Sequence, residues 1–194
     1  VTQHPCPDED NDMNGWQPDP FVALAARAPA KRLSLANSAG ICLGSLYHFD
    51  LTRPGLALYG GVPRREAAGH IRQVVRVEAQ IVQRKRIGAG DSVGYNATFT
   101  AERWIRAATV SLGYADGFLR SWAGGGALSF HGEALPLLGR VSMDMVVVDA
   151  SHAPDLGEGD WLDVPYSLPE AAGISGLSQY ELLTLLGRRF VRSI

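Results

Sequence analysis

The chain has 194 residues, of which 46% are hydrophobic and 20% are charged, a composition typical of a globular protein with a buried core. Its formal net charge of -2 gives no electrostatic reason to expect nucleic acid or a membrane surface as a partner, and no apolar run reaches the length of a membrane span. The two cysteines, Cys6 and Cys42, fit neither a disulfide framework nor a metal site, so we expect reduced thiols and a cytoplasmic location.

The first third of the chain alternates between strand-like and helix-like segments. Phe21 to Ala28 has helical composition, and Leu33 to Ala36 predicts a short buried strand. A helical turn is expected from Ser38, and Leu51 to Tyr59 predicts a second strand. Strand, helix, strand order favours a parallel sheet, and two strands alone cannot cover both faces of such a sheet. We therefore expect this third to be part of a larger α/β structure.

From Ile71 onward the pattern changes to short strand-like runs separated by glycine-rich breaks. Repeated short strands of this kind favour an antiparallel β-barrel or sandwich, so the fold class is α/β followed by a mainly β domain. We place the domains at residues 1–65 and 66–194, and expect a single later helix at Ser178 to Leu186. The predicted strands are Val74–Val82, Ala107–Leu112, Ala127–Phe130, Leu135–Leu138 and Met145–Val148.

Five short segments place polar or reactive side chains beside glycines that force tight backbone geometry. They are Leu35–Gly40, Arg53–Gly60, Val93–Thr100, Leu112–Gly117 and Leu138–Asp144. In this order they resemble the C-terminal half of the alanine racemase family, whose members interconvert L- and D-alanine on pyridoxal 5'-phosphate (PLP). The resemblance implies the end of a PLP-binding (β/α)8 barrel followed by an antiparallel, barrel-like β domain.

Tyr95 is the catalytic residue that the resemblance implies. In the family, the tyrosine of this segment exchanges the Cα proton on one face of the substrate, and the PLP-bearing lysine does so on the other. A tyrosine acts as a base near neutral pH only where cations or hydrogen-bond donors stabilise the phenolate. Gly94 and Asn96 stand where many relatives have Ser and Gly. Taken by itself, a tyrosine here could equally be a half-buried strand residue.

The resemblance also implies a set of PLP-binding residues. Arg53 matches the arginine that faces the pyridine nitrogen, where its permanent charge disfavours protonation and makes the ring a weaker electron sink. Without that match it could be an exposed arginine at a strand end. Small donors can converge on a phosphate dianion, which is why hydroxyl and backbone N–H groups serve there. The residues matched to the phosphate and the surroundings of PLP are Asn37, Ser38, Gly55, Leu56 and Tyr180.

Substrate-binding residues are implied by the last segment and its neighbours. In relatives, the backbone N–H groups at the positions of Met143 and Asp144 receive the substrate carboxylate, although a Met-Asp pair after a strand could equally form a plain turn. Tyr114, Arg120 and Arg140 resemble residues that line the substrate entrance and narrow it for a small amino acid.

Two features of the family have no plain counterpart in this chain. An ungapped comparison puts Gln3 at the position of the histidine that stacks on PLP, with His4 one residue later. The only lysines, Lys31 and Lys85, lie outside any segment that resembles the family's Schiff-base lysine. We therefore expect the chain alone to be inactive, and its start at Val1 favours a processed or truncated product.

Three interpretations of function follow. In the first, the chain is part of a homodimeric alanine racemase whose active sites are shared between subunits, so that Tyr95 and Met143 serve the neighbouring subunit. In the second, it is a non-catalytic β domain or dimerisation module. The third, another PLP enzyme with the same barrel such as an amino-acid decarboxylase, fits worse because those enzymes do not resemble the Gly139–Asp144 run. Alanine and serine are both small, so the choice between them as substrate stays open.

Overall fold

The structure is a computed structural model that describes residues 10–16 and 18–192. The chain divides into two compact units, of which the first ends at Val74 and the second begins at Val75. No helix within the described residues has the length and apolarity needed to cross a membrane.

The first unit consists mainly of loops and short helices. The helical turn predicted from Ser38 is confirmed, and Asn37 caps it by accepting a hydrogen bond from the Gly40 N–H at 2.9 Å. The predicted helix at Phe21 begins earlier, at Pro18, because proline is tolerated in a first helical turn. The α-helices are α1 (Met13–Trp16), α2 (Pro18–Ala25) and α3 (Ser38–Cys42), and 3-10 helices span Ser45–Tyr47, Leu56–Tyr59 and Arg65–Ala67.

The two strands predicted in the first unit, Leu33–Ala36 and Leu51–Tyr59, are wrong as continuous strands. The segments meet through one isolated parallel bridge between Asn37 and Arg53. The direction of pairing is therefore the predicted one. Pro54 has no N–H to donate and follows the bridge immediately, so the ladder does not extend and the chain turns into a 3-10 helix.

The second unit is built on the antiparallel sheet that the sequence predicts. Its main strands are β1 (Val77–Ile87), β4 (Ile105–Val110), β5 (Ala127–Phe130), β6 (Glu133–Pro136), β7 (Val146–Asp149) and β8 (Trp161–Val164). They lie in the order β6-β5-β8-β1-β4-β7. An isolated antiparallel bridge between Leu137 and Val148 brings the two ends of this sheet together, which gives the unit its barrel-like character. Two further strands, β2 (Ser92–Val93) and β3 (Phe99–Thr100), form a separate hairpin.

The observed strand boundaries differ from the predicted ones by only a few residues. Ala127–Phe130 has the predicted bounds, and the other predicted strands are displaced by one to several residues. Strand β8 was not expected, because four residues between a turn and Pro165 give too short an alternation to detect. It nevertheless buries Leu162 and Val164, and it pairs with β1.

The expectation of a single late helix is wrong. Helix α4 (Leu168–Ser175) precedes α5 (Gln179–Leu185). Pro169 lies in the first turn of α4, where its missing N–H is not needed, and Gly176 ends the helix with a positive φ of 70°. Helix α5 lies within the predicted range and begins with a capping box between Ser178 and Glu181.

An aromatic stack anchors the 3-10 helix Arg120–Gly124 to the core of the second unit. The Phe118 and Trp122 rings lie 4.8 Å apart, and Trp122 and Tyr166 lie 6.2 Å apart. The Tyr166 hydroxyl donates to the Leu182 carbonyl at 2.7 Å, and burial raises the pKa of Tyr166 above its usual range. This hydrogen bond also ties α5 to the same core.

Candidate functional site

Tyr95 lies at the tip of the hairpin formed by β2 and β3. Gly94 has a φ of 77°, and Asn96 and Ala97 follow with φ of 61° and 47°. Left-handed conformations cost L-residues other than glycine about 1–2 kcal/mol each, with Asn and Asp the least affected. The tip therefore has a specific, constrained shape. It leaves the Tyr95 side chain 69% exposed, so the phenol is available to a ligand or partner.

The loop that contains Arg140 lies directly against this hairpin. A Cβ atom on Gly139, which has a φ of 73°, would lie 2.9 Å from the Val93 carbonyl oxygen. A Cβ on Gly94 would lie 3.6 Å from the Arg140 nitrogen. Glycine at position 139 thus permits both the turn and the close approach, and the backbone at Gly139 and Arg140, where the loop begins, lies beside the tyrosine hairpin.

The 3-10 helix Tyr114–Asp116 holds the other end of this loop. The Tyr114 N–H donates to the Ser142 carbonyl and the Ala115 N–H to the Met143 carbonyl, both at 3.0 Å. Among the described residues, none accepts a hydrogen bond from the N–H of Met143 or Asp144. Two adjacent backbone donors are thus left available on a loop whose shape is fixed by its other polar groups.

Two predicted entrance residues contact each other. The Arg120 guanidinium lies over the Tyr114 ring, 5.1 Å from its centroid, and its Nε donates to the Val141 carbonyl at 3.4 Å. The structure therefore brings Tyr114, Arg120 and the loop carrying Arg140 into one cluster, which includes Met143 and Asp144. The Tyr95 hairpin borders the same loop.

The structure adds two residues that the sequence did not reveal, Asp116 and Arg189. Arg189 Nη1 lies 2.8 Å from Asp144 Oδ1, and its Nε lies 3.2 Å from Asp116 Oδ1. Asp116 is buried and also accepts a hydrogen bond from the Gly113 N–H at 2.8 Å. The pKa of the Arg189 guanidinium is raised, first by its hydrogen bond to Asp144 and then by the charge of Asp116. No local spacing links these residues, so sequence patterns give no signal for them.

Ser38 is the centre of the candidate phosphate site in the first unit. Its buried Oγ accepts hydrogen bonds from the N–H of Gly55 at 2.8 Å and of Ala57 at 3.3 Å. Because both donors occupy the lone pairs of this oxygen, its own hydrogen is directed away from them. Leu56, between the two donors, is buried. The Gly55 and Ala57 N–H groups are taken up by Ser38, so the donor that this cluster offers to an anion such as the phosphate of PLP is the Ser38 hydroxyl.

Arg53 is held close to the Ser38 cluster by the parallel bridge to Asn37. Its guanidinium donates to the Ser34 hydroxyl and, at 3.3 Å, to the Leu35 carbonyl. These contacts fix the position of a permanent positive charge among small polar groups.

Three predicted site residues remain to be placed: Tyr180, Gln3 and His4. Tyr180 lies in the second unit, in the first turn of α5, with its ring about half exposed. Gln3 and His4 lie outside the described residues. Within the described part of the chain, no group of three or more His, Cys, Asp or Glu side chains is placed to hold a metal ion.

Family comparisons cover both units of the chain. The model of the alanine racemase N-terminal domain matches residues 1–63, and that of the C-terminal domain matches residues 74–194. The alanine racemase of Rhodospirillum rubrum is 44% identical over 199 positions, which cover 99% of this chain and 53% of the relative. That of Acidiphilium cryptum is 40% identical, with 95% and 53% covered. The chain therefore spans about half the length of the curated relatives that it matches.

Solved structures give the same result. The alanine racemase of Bartonella henselae with covalently bound pyridoxal phosphate has a TM-score of 0.87 and 36% identity over 98% of this chain and 55% of its own. The biosynthetic alanine racemase of Pseudomonas aeruginosa has a TM-score of 0.83 and 35% identity, with 96% and 54% covered. These matches define a class of protein with an alanine racemase N-terminal domain joined to an alanine racemase C-terminal domain. The chain belongs to the alanine racemase family. Because both domains match, an isolated β module is not favoured.

Proposed function

We propose that this chain is part of a PLP-dependent racemase that interconverts L- and D-alanine, with Tyr95 as one of its two bases. The observation that carries this proposal is the exposed phenol at a constrained hairpin tip, beside a loop in which two backbone N–H groups have no acceptor among the described residues. A proton-transfer group must reach the substrate, and a carboxylate needs donors beside it. Both requirements have a candidate in the second unit.

The first unit supplies candidates for holding the cofactor. The Ser38 hydroxyl, with the Gly55–Leu56 segment around it, would bind the phosphate of PLP, with Asn37 beside them, and Arg53 would face the ring nitrogen. PLP, when bound, supplies the electron sink that makes the Cα proton of an amino acid removable. The permanent charge of Arg53 limits that sink, which favours proton exchange at Cα over side reactions. Tyr180 is a further candidate for the phosphate on the family resemblance.

The substrate contacts come from the loop of the second unit. The N–H groups of Met143 and Asp144 would receive the alanine carboxylate, and Tyr95 would exchange the Cα proton on one face. Tyr114, Arg120 and Arg140 would narrow the approach, so that only a small amino acid reaches the site.

We also propose a homodimer in which each active site takes residues from two subunits. Racemisation needs one base on each face of the substrate, and the second base would be the PLP-bearing lysine of the other subunit. In this arrangement residues 1–65 belong to the barrel that holds PLP, and residues 66–194 reach the barrel of the neighbouring subunit.

The test uses the complete gene product that contains this chain, purified with PLP from a host without racemase. Tyr95→Phe removes the phenol and keeps the ring, so folding should be retained while turnover falls about 10²–10⁴-fold, the usual contribution of an acid–base group. The proton on the lysine-facing side should still exchange with solvent, so isotope exchange should persist for one enantiomer only. Tyr59→Phe is the matched control, since it removes another exposed phenol. Equal rates for the Tyr95→Phe enzyme and wild type would remove Tyr95 from the mechanism.

Complementation tests the shared site separately. Tyr95→Phe subunits are mixed with subunits whose PLP-bearing lysine is replaced, and subunit exchange is verified by mass. Recovery of activity is expected only if the two bases come from different chains. Fully exchanged dimers without activity would contradict the shared site and leave the role of Tyr95 untouched.

A further inference from the structure

The contacts of Arg189 connect two segments of the candidate substrate site. Its guanidinium bridges Asp144, on the loop with the two unpaired N–H groups, and Asp116, in the 3-10 helix that supports this loop. Asp116 is itself fixed by the Gly113 N–H and by burial. Arg189 therefore links the half-exposed carboxylate of Asp144, on the loop, to the buried carboxylate of Asp116.

The position of Asp144 makes this link chemically significant. Its backbone N–H is one of the two donors proposed for the substrate carboxylate, yet its side chain carries a negative charge on the same residue. An unpaired carboxylate at an anion site repels the anion, and a paired carboxylate does so much less. The bond to Arg189 at 2.8 Å supplies this pairing, and the same guanidinium is held by Asp116.

We propose that Arg189 is a positioning residue for the substrate-carboxylate site: it neutralises Asp144 and fixes the loop that presents the Met143 and Asp144 N–H groups. This proposal rests on the proposed racemase function. A carboxylate is bound in both the ground state and the transition state, so losing its site raises KM more than it lowers kcat.

The chain offers a matched control in Arg76. Like Arg189, Arg76 is an exposed arginine of the second unit that bridges two carboxylates, at 2.8 Å to Asp163 and 3.1 Å to Glu78. Asp163 and Glu78 lie on the paired strands β8 and β1, outside the loop that carries Met143. Comparing variants of the two residues therefore separates the effect of losing any arginine bridge from the effect of losing the Arg189 bridge.

The experiment measures initial rates of L-alanine racemisation by the complete gene product with PLP. Arg189→Met should raise KM for L-alanine about 10- to 100-fold with kcat within about threefold, since small displacements at a binding group can cost up to about 100-fold. Arg76→Met should leave KM unchanged. Adding Asp144→Asn to Arg189→Met removes the unpaired charge and should lower KM again. If Arg189→Met does not fold, Arg189→Lys replaces it, because a lysine cannot span both carboxylates as a guanidinium does and KM should still rise about threefold or more.

Three results would overturn the positioning role in an enzyme whose wild type racemises alanine. These are an unchanged KM in the folded Arg189 variant, an equal rise in KM for Arg76→Met, and no recovery on adding Asp144→Asn. A wild-type enzyme that does not racemise alanine would overturn the proposed function and this inference together, so the two failures are distinguishable.

Discussion

Replacing Gly113 with alanine should displace the Met143–Asp144 backbone directly. A Cβ atom on Gly113 would lie 2.2 Å from the Met143 carbonyl oxygen, 2.4 Å from its carbonyl carbon and 2.6 Å from the Asp144 nitrogen. The φ of Gly113 is -156°, an extended value that alanine adopts without strain. The clash is therefore purely steric, and its targets are rigid backbone atoms.

The size of the displacement sets the expected effects. The closest contact is about 1.2 Å shorter than the 3.4 Å at which ordinary contact begins, so the loop must move by a comparable distance. Overpacking of this kind typically costs about 1–3 kcal/mol of unfolding free energy. Movement of about 1 Å at the two N–H groups should raise KM for alanine by up to about 100-fold.

Two measurements on the complete gene product check this prediction: the midpoint of denaturant unfolding and the KM of racemisation. Gly173→Ala is the matched control, because a Cβ on this exposed residue of α4 meets nothing within 4 Å. Alanine there should stabilise the helix by roughly 0.5–1 kcal/mol and leave KM unchanged. A Gly113→Ala enzyme with the stability and KM of wild type would refute the close approach between the two segments and its role in substrate binding.

Two further predictions concern the hairpin and the core. Asn96→Val should destabilise the protein by about 1–2 kcal/mol and lower turnover, because a β-branched residue disfavours the φ of 61°. Asn96→Gly should retain both stability and turnover, and unfolding midpoints and initial rates of both variants check this. Tyr166→Phe leaves the buried Leu182 carbonyl without its hydroxyl donor and should cost about 1–3 kcal/mol at neutral pH. Since the pKa of Tyr166 is raised in the folded state, wild type should lose stability as pH rises above about 10, where the phenol of the unfolded chain ionises. The phenylalanine variant should lose less stability over the same range. Equal slopes of unfolding free energy against pH for the two proteins would contradict this.

Much of the second unit could be predicted from sequence because its strands bury alternate residues. In β1, Val77, Ala79 and Ile81 are buried, which is the alternation that the sequence displays. The first unit resisted prediction, because apolar runs near Pro54 read as a strand although proline ends the pairing. Helix α4 was not predicted; Pro169 lies in its first turn, where proline is tolerated.

The turns of the candidate site could also be predicted from local sequence, because glycines mark them. Gly94, Gly117 and Gly139 all have positive φ, so glycines in these segments mark turns that a sequence can reveal. Gly113 is different: its φ is extended, and its requirement comes from the Met143 backbone, which is distant in sequence. A glycine that permits close approach therefore looks the same in sequence as one that permits a turn, and only the structure separates the two.

Asp144 shows why the remainder of the site could not be read from sequence. A carboxylate next to N–H groups that are proposed to bind another carboxylate is unfavourable when the segment is considered alone. The compensating charge is Arg189, 45 positions away, and its second partner, Asp116, lies on a third segment. Pairing over such separations depends on how the loop, the 3-10 helix and the chain after α5 fold together. The spacing of residues in the sequence gives no sign of this pairing. The charge balance of this site is consequently a property of the folded second unit, and Arg189 is where a substitution tests it most directly.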